Sequence, residues 1–508
     1  MHSLSCAPQE IINMFHPDDP SWEASDVVHA LEAVRKAASL RVPFYMYDRD
    51  IPGGTDVARE IAKLDKCVRK GLPPGELAQY SAEYWFIKAL IDHPWRVRLP
   101  SDAMLLVMPV FFAFENRIKN SARWMTHHEK TLRAINRTGL LQARPNDHIY
   151  VALDWRGGSA FTNHLGVAGG GIPATTRAQT EYVTAHPHMY GQVVPRPSSQ
   201  STGREDFKIV APYVDNSYLS GDSDLLAADM NKHNATVRNV TFFFGGMTAQ
   251  NLVGAGIPGR ARQGYYLRHS LMKAWSREGP SSDAFNGTIL VSSDDKWLKW
   301  LAVLHCEVAD GSYTDKKGHL PFEKGRKPHN NSYGLRTGTR CVERCTDELL
   351  QHGTTGACHG RYKPRELLSR TQFALCLRGD VPTSPRPYDA IRFGAIPVLI
   401  ADNVWALGMP FQCFVPWELM TVSISEAAFM ANASGALRNL TNRITPAQRL
   451  RMHKLNHHFA RDVLYFFADG SRTSRVAENL LIEAASWRMR TKPSGCCPLR
   501  DRSRWAYD

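Results

Sequence analysis

Short apolar runs closed by glycine, proline or aspartate recur along this chain, and between them lie stretches whose apolar residues fall three or four apart. The first pattern predicts buried strands and the second predicts helices packed on them; their alternation predicts parallel α/β sheets. Ser25–Leu40 carries Val27, Val28, Leu31 and Val34 on one helical side, and Phe44–Tyr47 is a first strand followed by Asp48. Ser81 starts a helix through Ile91, Met104–Met108 is a strand before Pro109, and Asn120–Asn136 is helical. Ile149–Leu153 is a strand that delivers Asp154 to its carboxyl end. Gly157–Asn216 is rich in glycine, proline, threonine and serine and reads as loops. Asn239–Phe244 is a strand running into Gly245-Gly246, where glycine lets backbone N–H groups approach a phosphate. Thr288–Val291 is a further strand, and Asp310–Gly360 reads as an irregular insertion. Ser425 caps a helix through Leu440, and Thr445-Pro446 opens a long one with Leu455, Phe459 and Val463 on one face.

The densest chemistry lies in 370–402. Gln372–Leu377 is a buried strand that stops at Arg378-Gly379-Asp380. Ser384 is placed to cap a helix whose first turn takes Pro387, and Gly394 sits just past its end, where a left-handed backbone suits glycine. Ile396–Ile400 is the next strand, ending at Ala401-Asp402. In such a βαβ unit a ligand sits beyond the carboxyl ends of the strands, and a helix start there favours an anion. Arg378 and Arg386 add bidentate donors suited to a diphosphate, and Asp389, one turn inside, can accept from ribose hydroxyls. The plainer alternative leaves Arg378 and Asp380 as solvated turn residues and Arg386 paired with an acid.

This stretch resembles the C-terminal signature of the exostosin family of glycosyltransferases. The matching residues are Ser384-Pro385-Arg386, Tyr388-Asp389-Ala390-Ile391, Gly394-Ala395-Ile396-Pro397-Val398 and Asp402, with Pro410-Phe411 and Trp417 following. Ala395 stands where the family usually has cysteine, and Leu377 where it has proline. Weaker likeness runs through Tyr80, Glu83, Asp102, Ala103, Pro109 and Asp147-His148. The resemblance implies a GT-B-like α/β fold, with two Rossmann-like lobes facing across a cleft and C-terminal helices bracing the first. The expected division is an acceptor-side lobe over 1–235, a nucleotide-sugar-binding lobe over 236–440, and a helical segment and tail over 441–508. The implied chemistry is inverting, metal-independent transfer from a nucleotide-sugar, a UDP-sugar, to an oligosaccharide or glycoprotein acceptor. The nucleotide-sugar serves as substrate and no cofactor is called for. Donor contacts fall to Arg268, Arg378, Ser384, Arg386, Asp389, Gly245 and Gly246, and the candidate bases are Asp154 and Glu426. The family's histidine before that aspartate is Leu153 here, which keeps a non-catalytic saccharide-binding or partner subunit as the alternative.

Composition narrows the rest. The net charge of +13 and pI near 9.3 suit an acidic partner, yet no Lys/Arg run with interleaved aromatics speaks for nucleic acid. Ala103–Phe114 is too short for a membrane span and carries Pro109. Asn-x-Ser/Thr sequons at Asn136, Asn234, Asn239, Asn286, Asn330, Asn432 and Asn439 fit a lumenal chain, and the resemblance implies the Golgi. The resemblance implies an N-terminal membrane anchor, which is missing from this sequence, so membrane association through such an anchor is an expectation of the resemblance, and the oligomeric state, homo- or hetero-, stays open. Asp222-Ser223-Asp224 is a weak metal-and-diphosphate tripeptide in a turn-like setting. Cys341, Cys345, Cys358 and His359 could supply four zinc ligands, though disulfides suit an oxidising lumen better. Cys376 and Cys413 lie in apolar surroundings and read as core, and Cys496-Cys497 are adjacent near the end.

Overall fold

The computed structural model describes residues 7–37, 41–69, 81–111, 124–144, 147–152, 172–175, 209–215, 238–246, 259–279, 282–292, 343–344, 356–359, 367–379, 384–402, 404, 409–412, 414–465 and 473–489. In chain order these hold α1 (Ala7–Met14), α2 (Ala24–Ala37), β1 (Phe44–Met46), α3 (Val57–Arg69), α4 (Ala82–Leu90) and β2 (Leu105–Val107). Next come α5 (Trp124–Arg137), α6 (Leu140–Ala143), β3 (His148–Ala152), β4 (Ile172–Thr175), β5 (Ile209–Val210), β6 (Val240–Gly246) and α7 (Gly259–Glu278). They are followed by β7 (Thr288–Ser292), β8 (Glu343–Arg344), β9 (Gly356–His359), β10 (Thr371–Leu377), α8 (Arg386–Arg392) and β11 (Ile396–Ile400). The last are α9 (Trp417–Met420), β12 (Val422–Ser423), α10 (Glu426–Ala431), α11 (Ala433–Arg443), α12 (Pro446–Val463) and α13 (Val476–Met489).

The chain divides into two compact units. One draws on Met1–Asn231, Asn403–Met420 and Lys454–Asp501, the other on Lys232–Asp402 and Thr421–His453. Among the described residues no helix is long and apolar enough to cross a membrane.

The first unit holds a parallel sheet in the order β1-β2-β3-β4-β5. Its core gathers Tyr45, Tyr47, Leu106, Met108 and Tyr150 from the strands with Leu132, Ile135 and Leu141 from α5 and α6. The C-terminal helices brace this unit, as expected. Arg35 of α2 donates to Asp462 Oδ1 (2.8 Å) and Asn479 Oδ1 (2.6 Å), and Glu32 Oε1 accepts from Arg461 (2.6 Å) and Arg475 (2.8 Å). Gly157–Asn216, read as loops, contributes β4 and β5 to the sheet; these strands are four and two residues long and one contains Pro173, so no apolar run announced them. The motif residue Trp417 is fully buried, and its indole N–H donates to Pro410 O at 2.7 Å, which gives the Pro410…Trp417 pairing a structural task.

The second unit is doubly wound. Its parallel strands run β12-β11-β10-β6-β7-β9-β8, so the chain starts at β6, moves outward through β7, then returns beside β6 with β10 and goes the other way. Side chains alternate across the sheet as strand geometry demands. Phe242, Phe244, Phe373 and Leu375 face α7, α10 and α11 through Leu267, Leu271, Phe429 and Leu437. Phe243 and Ala374 face the other layer and cluster with Ala390 and Ala395, which Val240 joins at the start of β6. Burial on both faces is why these strands read as unbroken apolar runs, and each fully buried phenylalanine contributes roughly 1.5–3 kcal/mol. Asp310–Gly360, read as an irregular insertion, supplies the short outer strands β8 and β9. The helix expected from Ser425 through Leu440 is two helices. Ser425 Oγ accepts from Ala428 N (3.1 Å), and Asn432 breaks the run and caps the second by accepting from Gly435 N (2.9 Å). Gly394 has the expected left-handed backbone, φ +73.

Candidate functional site

In a doubly wound sheet the ligand crevice opens at the carboxyl ends of the two strands where the winding reverses. Here those strands are β6 and β10, which pair in parallel through Thr371–Val240, Phe373–Phe242 and Ala374–Phe243. β6 ends in Gly245-Gly246, and β10 ends at Leu377 with Arg378 and Gly379 beyond it. Arg386, at the start of α8, spans both ends: its Nε donates to Gly245 O (2.9 Å) and its Nη1 to Leu377 O (3.1 Å). The guanidinium lies over the Phe244 ring, 5.3 Å from its centroid. A Cβ at Gly246 would collide with Arg386 Nη2, so the glycine there is what lets the arginine lie flat across the strand ends. Arg386 thus takes one carbonyl acceptor from the end of each of the two strands.

Two more arginines meet this edge. Arg378 is 3% exposed; its backbone N–H donates to Ile400 O (3.1 Å) and its Nη1 to Glu426 Oε1 (3.1 Å). Arg268, on α7, brings its Nη2 to within 3.2 Å of where a Cβ on Gly379 would stand. α7 can come this close because it has glycine at Gly264: a Cβ there would run into the backbone carbonyls of Gly379 and Arg378. Sequence reading passed over this mid-helix glycine, although an isolated glycine in a helix is itself a sign of close backbone approach.

The acidic residues are placed differently. Glu426 is fully buried at the first position of α10, with Oε1 accepting also from Asp402 N (3.0 Å), while Asp402 Oδ1 accepts from Glu426 N (2.7 Å). Burial pushes its carboxyl above the ordinary glutamate value, with the Arg378 charge opposing. Asp389 is 4% exposed on α8, close enough to Cys376 that its charge acts on that thiol. Cys376 itself is core, as expected, and burial pushes its pKa up to about 12. Ser384 is half-buried but is not the cap of α8. That position belongs to Pro385, whose carbonyl accepts from Tyr388 N and Asp389 N at 3.0 Å each. The structure therefore brings Gly245, Gly246, Arg268, Arg378, Arg386 and Glu426 together at one edge of the second unit, with Ser384 and Asp389 on the same βαβ turn. Asp154 lies outside the described residues, as do Asp222-Ser223-Asp224, Cys341, Cys345, Cys413 and Cys496-Cys497.

Residues 313–440 match the Exostosin GT47 domain. The matched stretch carries Arg378, Ser384, Arg386, Asp389 and Glu426, and so most of the strand-end arrangement. Among curated relatives, a probable glucuronosyltransferase GUT1 of Oryza sativa subsp. japonica is 43% identical over 61 residues, 12% of this chain and 14% of that protein. A probable beta-1,4-xylosyltransferase IRX10 of Arabidopsis thaliana gives the same identity, length and shares. A further rice protein named a probable glucuronosyltransferase is 41% identical over 107 residues, 21% of this chain and 24% of that protein. The chain thus spans well under a third of the length of these relatives. Among solved structures, Anabaena HepE in complex with UDP-glucose is 11% identical with a TM-score of 0.34, over 86% of this chain and 98% of that one. A likeness that distant carries no argument.

Proposed function

We propose that this chain is a GT47-type glycosyltransferase that moves a sugar from a UDP-sugar to a glycan acceptor. One observation carries the reading: Arg386 lies across the carboxyl ends of β6 and β10, at the winding reversal, with Arg378 and Arg268 beside it. A sugar nucleotide leaves as a diphosphate, and charge that develops on the leaving oxygen is stabilised best by donors fixed in advance. At an effective dielectric near 20, a guanidinium about 4 Å from a phosphate oxygen contributes ~4 kcal/mol. Three such groups take the place of a metal ion in this mechanism, and no cofactor is needed. Arg386 is already oriented by two carbonyls and so loses little freedom on binding.

In the same reading Asp389 and Ser384 serve the nucleoside side, and the acceptor belongs to the first unit. Asp154, two residues past the end of β3, is the proposed base that takes the acceptor hydroxyl's proton, and displacement is direct with inversion. The relatives' names make UDP-glucuronic acid and UDP-xylose the first donors to try, with oligosaccharides as acceptors in the Golgi lumen. The test is a transfer assay over these donors with wild type and Arg386→Ala. The expected result is turnover by wild type and a fall in kcat of about 10²–10³ in the variant at an unchanged fold. Transfer unaffected by Arg386→Ala contradicts the assigned role. UDP binding without turnover on any acceptor favours the saccharide-binding or partner subunit, which Leu153 in the histidine position already suggests.

A further inference from the structure

Arg378 and Glu426 form a buried ion pair whose side chains are 3% and 1% exposed, and they lie forty-eight positions apart in sequence. Such a pair rarely stabilises a fold on balance, because desolvating two charges costs several kcal/mol per ion. A pair kept for stability alone would also have its remaining polar atoms satisfied. This one does not: among the described residues Arg378 Nε and Glu426 Oε2 are both buried without a hydrogen-bond partner. The carboxylate is nonetheless rigidly held. Glu426 opens α10, its backbone N–H is fixed by Asp402 Oδ1, its Oε1 takes Asp402 N, and Ser425 caps the same turn. The arginine is anchored at its other end, where its backbone N–H is bonded to Ile400 O.

Granting that Arg378 contacts the donor diphosphate, we infer that Glu426 is the positioning residue of that contact: its Oε1 holds one guanidinium N–H and thereby aims the others at the phosphate oxygens. A long arginine side chain loses rotamer freedom when it binds; a buried carboxylate that fixes it beforehand removes that cost at the moment of binding. Groups that orient a ligand-contacting residue in this way are worth about 10–100-fold at metal sites, and the same scale applies here. Glu426 then does not act on the acceptor hydroxyl. Its Oε1 already takes two donors, from Arg378 Nη1 and Asp402 N.

The test is titration calorimetry with UDP on a double-mutant cycle, with thermal melting of each variant alongside. Glu426→Met removes the acceptor and keeps the volume; the expected result is UDP binding weaker by about 10–100-fold. Glu426→Gln keeps an acceptor oxygen at the same place and restores most of the affinity. In the Arg378→Met background neither substitution changes UDP affinity further. Glu426→Asp withdraws the carboxylate by one methylene and shows the loss in smaller degree, and it stands in if the Met variant does not fold. The inference is overturned if Arg378→Met weakens UDP while Glu426→Met does not. It is equally overturned if Glu426→Met weakens UDP to the same extent in both backgrounds, the mark of a merely structural role. If Arg378→Met leaves UDP affinity unchanged, the donor assignment of Arg378 itself falls and takes this inference with it.

Discussion

A methyl group at Gly246 would overlap the Arg386 guanidinium, and the two residues sit 140 positions apart in sequence. Their dependence predicts that Gly246→Ala displaces Arg386 from the carbonyls of Gly245 and Leu377. UDP affinity should fall by about tenfold, the worth of one charge-assisted contact, with little change in the melting temperature; unchanged affinity would mean that Arg386 does not face the ligand. A second residue-scale expectation concerns His453 of α12. Burial, and then the nearby Arg238 charge, lowers its pKa from 6.5 to about 3, while a bond with the Gly394 backbone works the other way. The unfolded chain therefore binds a proton that the folded one refuses below pH 6.5. Stability should drop by about 1.4 kcal/mol for each pH unit below that value. Urea unfolding at pH 7 and pH 5.5 measures it, and a His453→Gln variant should lose this part of the slope.

Among the elements, those buried on both faces were plain in the sequence, since Val240–Gly246, Thr371–Leu377 and Ile396–Ile400 are runs of apolar residues that only a covered sheet explains. The outer strands were not. β5 and β8 have two residues each, β4 contains Pro173, and β9 begins at Gly356, so local composition spoke for turns while pairing with longer neighbours made them strands. The split between α10 and α11 was half visible: Asn432 is a capping residue, yet the apolar period continues across it. The resemblance implied the brace on the first unit, but not the side chains that make it, because Arg35 and Asp462 are more than 400 positions apart. Asp462, fully buried, takes Arg35 from α2 and Arg475 from the start of α13. Asp462→Asn leaves two guanidinium groups short of their counter-charge, and the expected loss is about 3 kcal/mol in chemical unfolding. Glu32, with its pKa lowered by His458, Arg475 and Arg461, adds stability that is present above the ordinary carboxylate range and lost on acidification.

At the scale of the molecule, a long motif gathers Arg378, Ser384, Arg386 and Asp389, the donor contacts proposed above, into Arg378–Asp402, while Gly245, Gly246 and Arg268 lie outside it; strand order explains why that motif sits where it does. The arginines converge because β6 and β10 flank the winding reversal of the second unit, while the strands of the first unit follow chain order. What sequence could not supply was the pairing across distance: Arg386 with the end of β6, Arg268 over Gly379, and Glu426 behind Arg378. In the proposed function this edge grips the diphosphate of a sugar nucleotide. Titration calorimetry of UDP into wild type and Arg386→Ala tests it most directly. Saturable binding to wild type is expected, with a loss of at least about tenfold in a variant that stays folded. Absence of UDP binding to the folded wild type, or equal affinity in the two proteins, would contradict it.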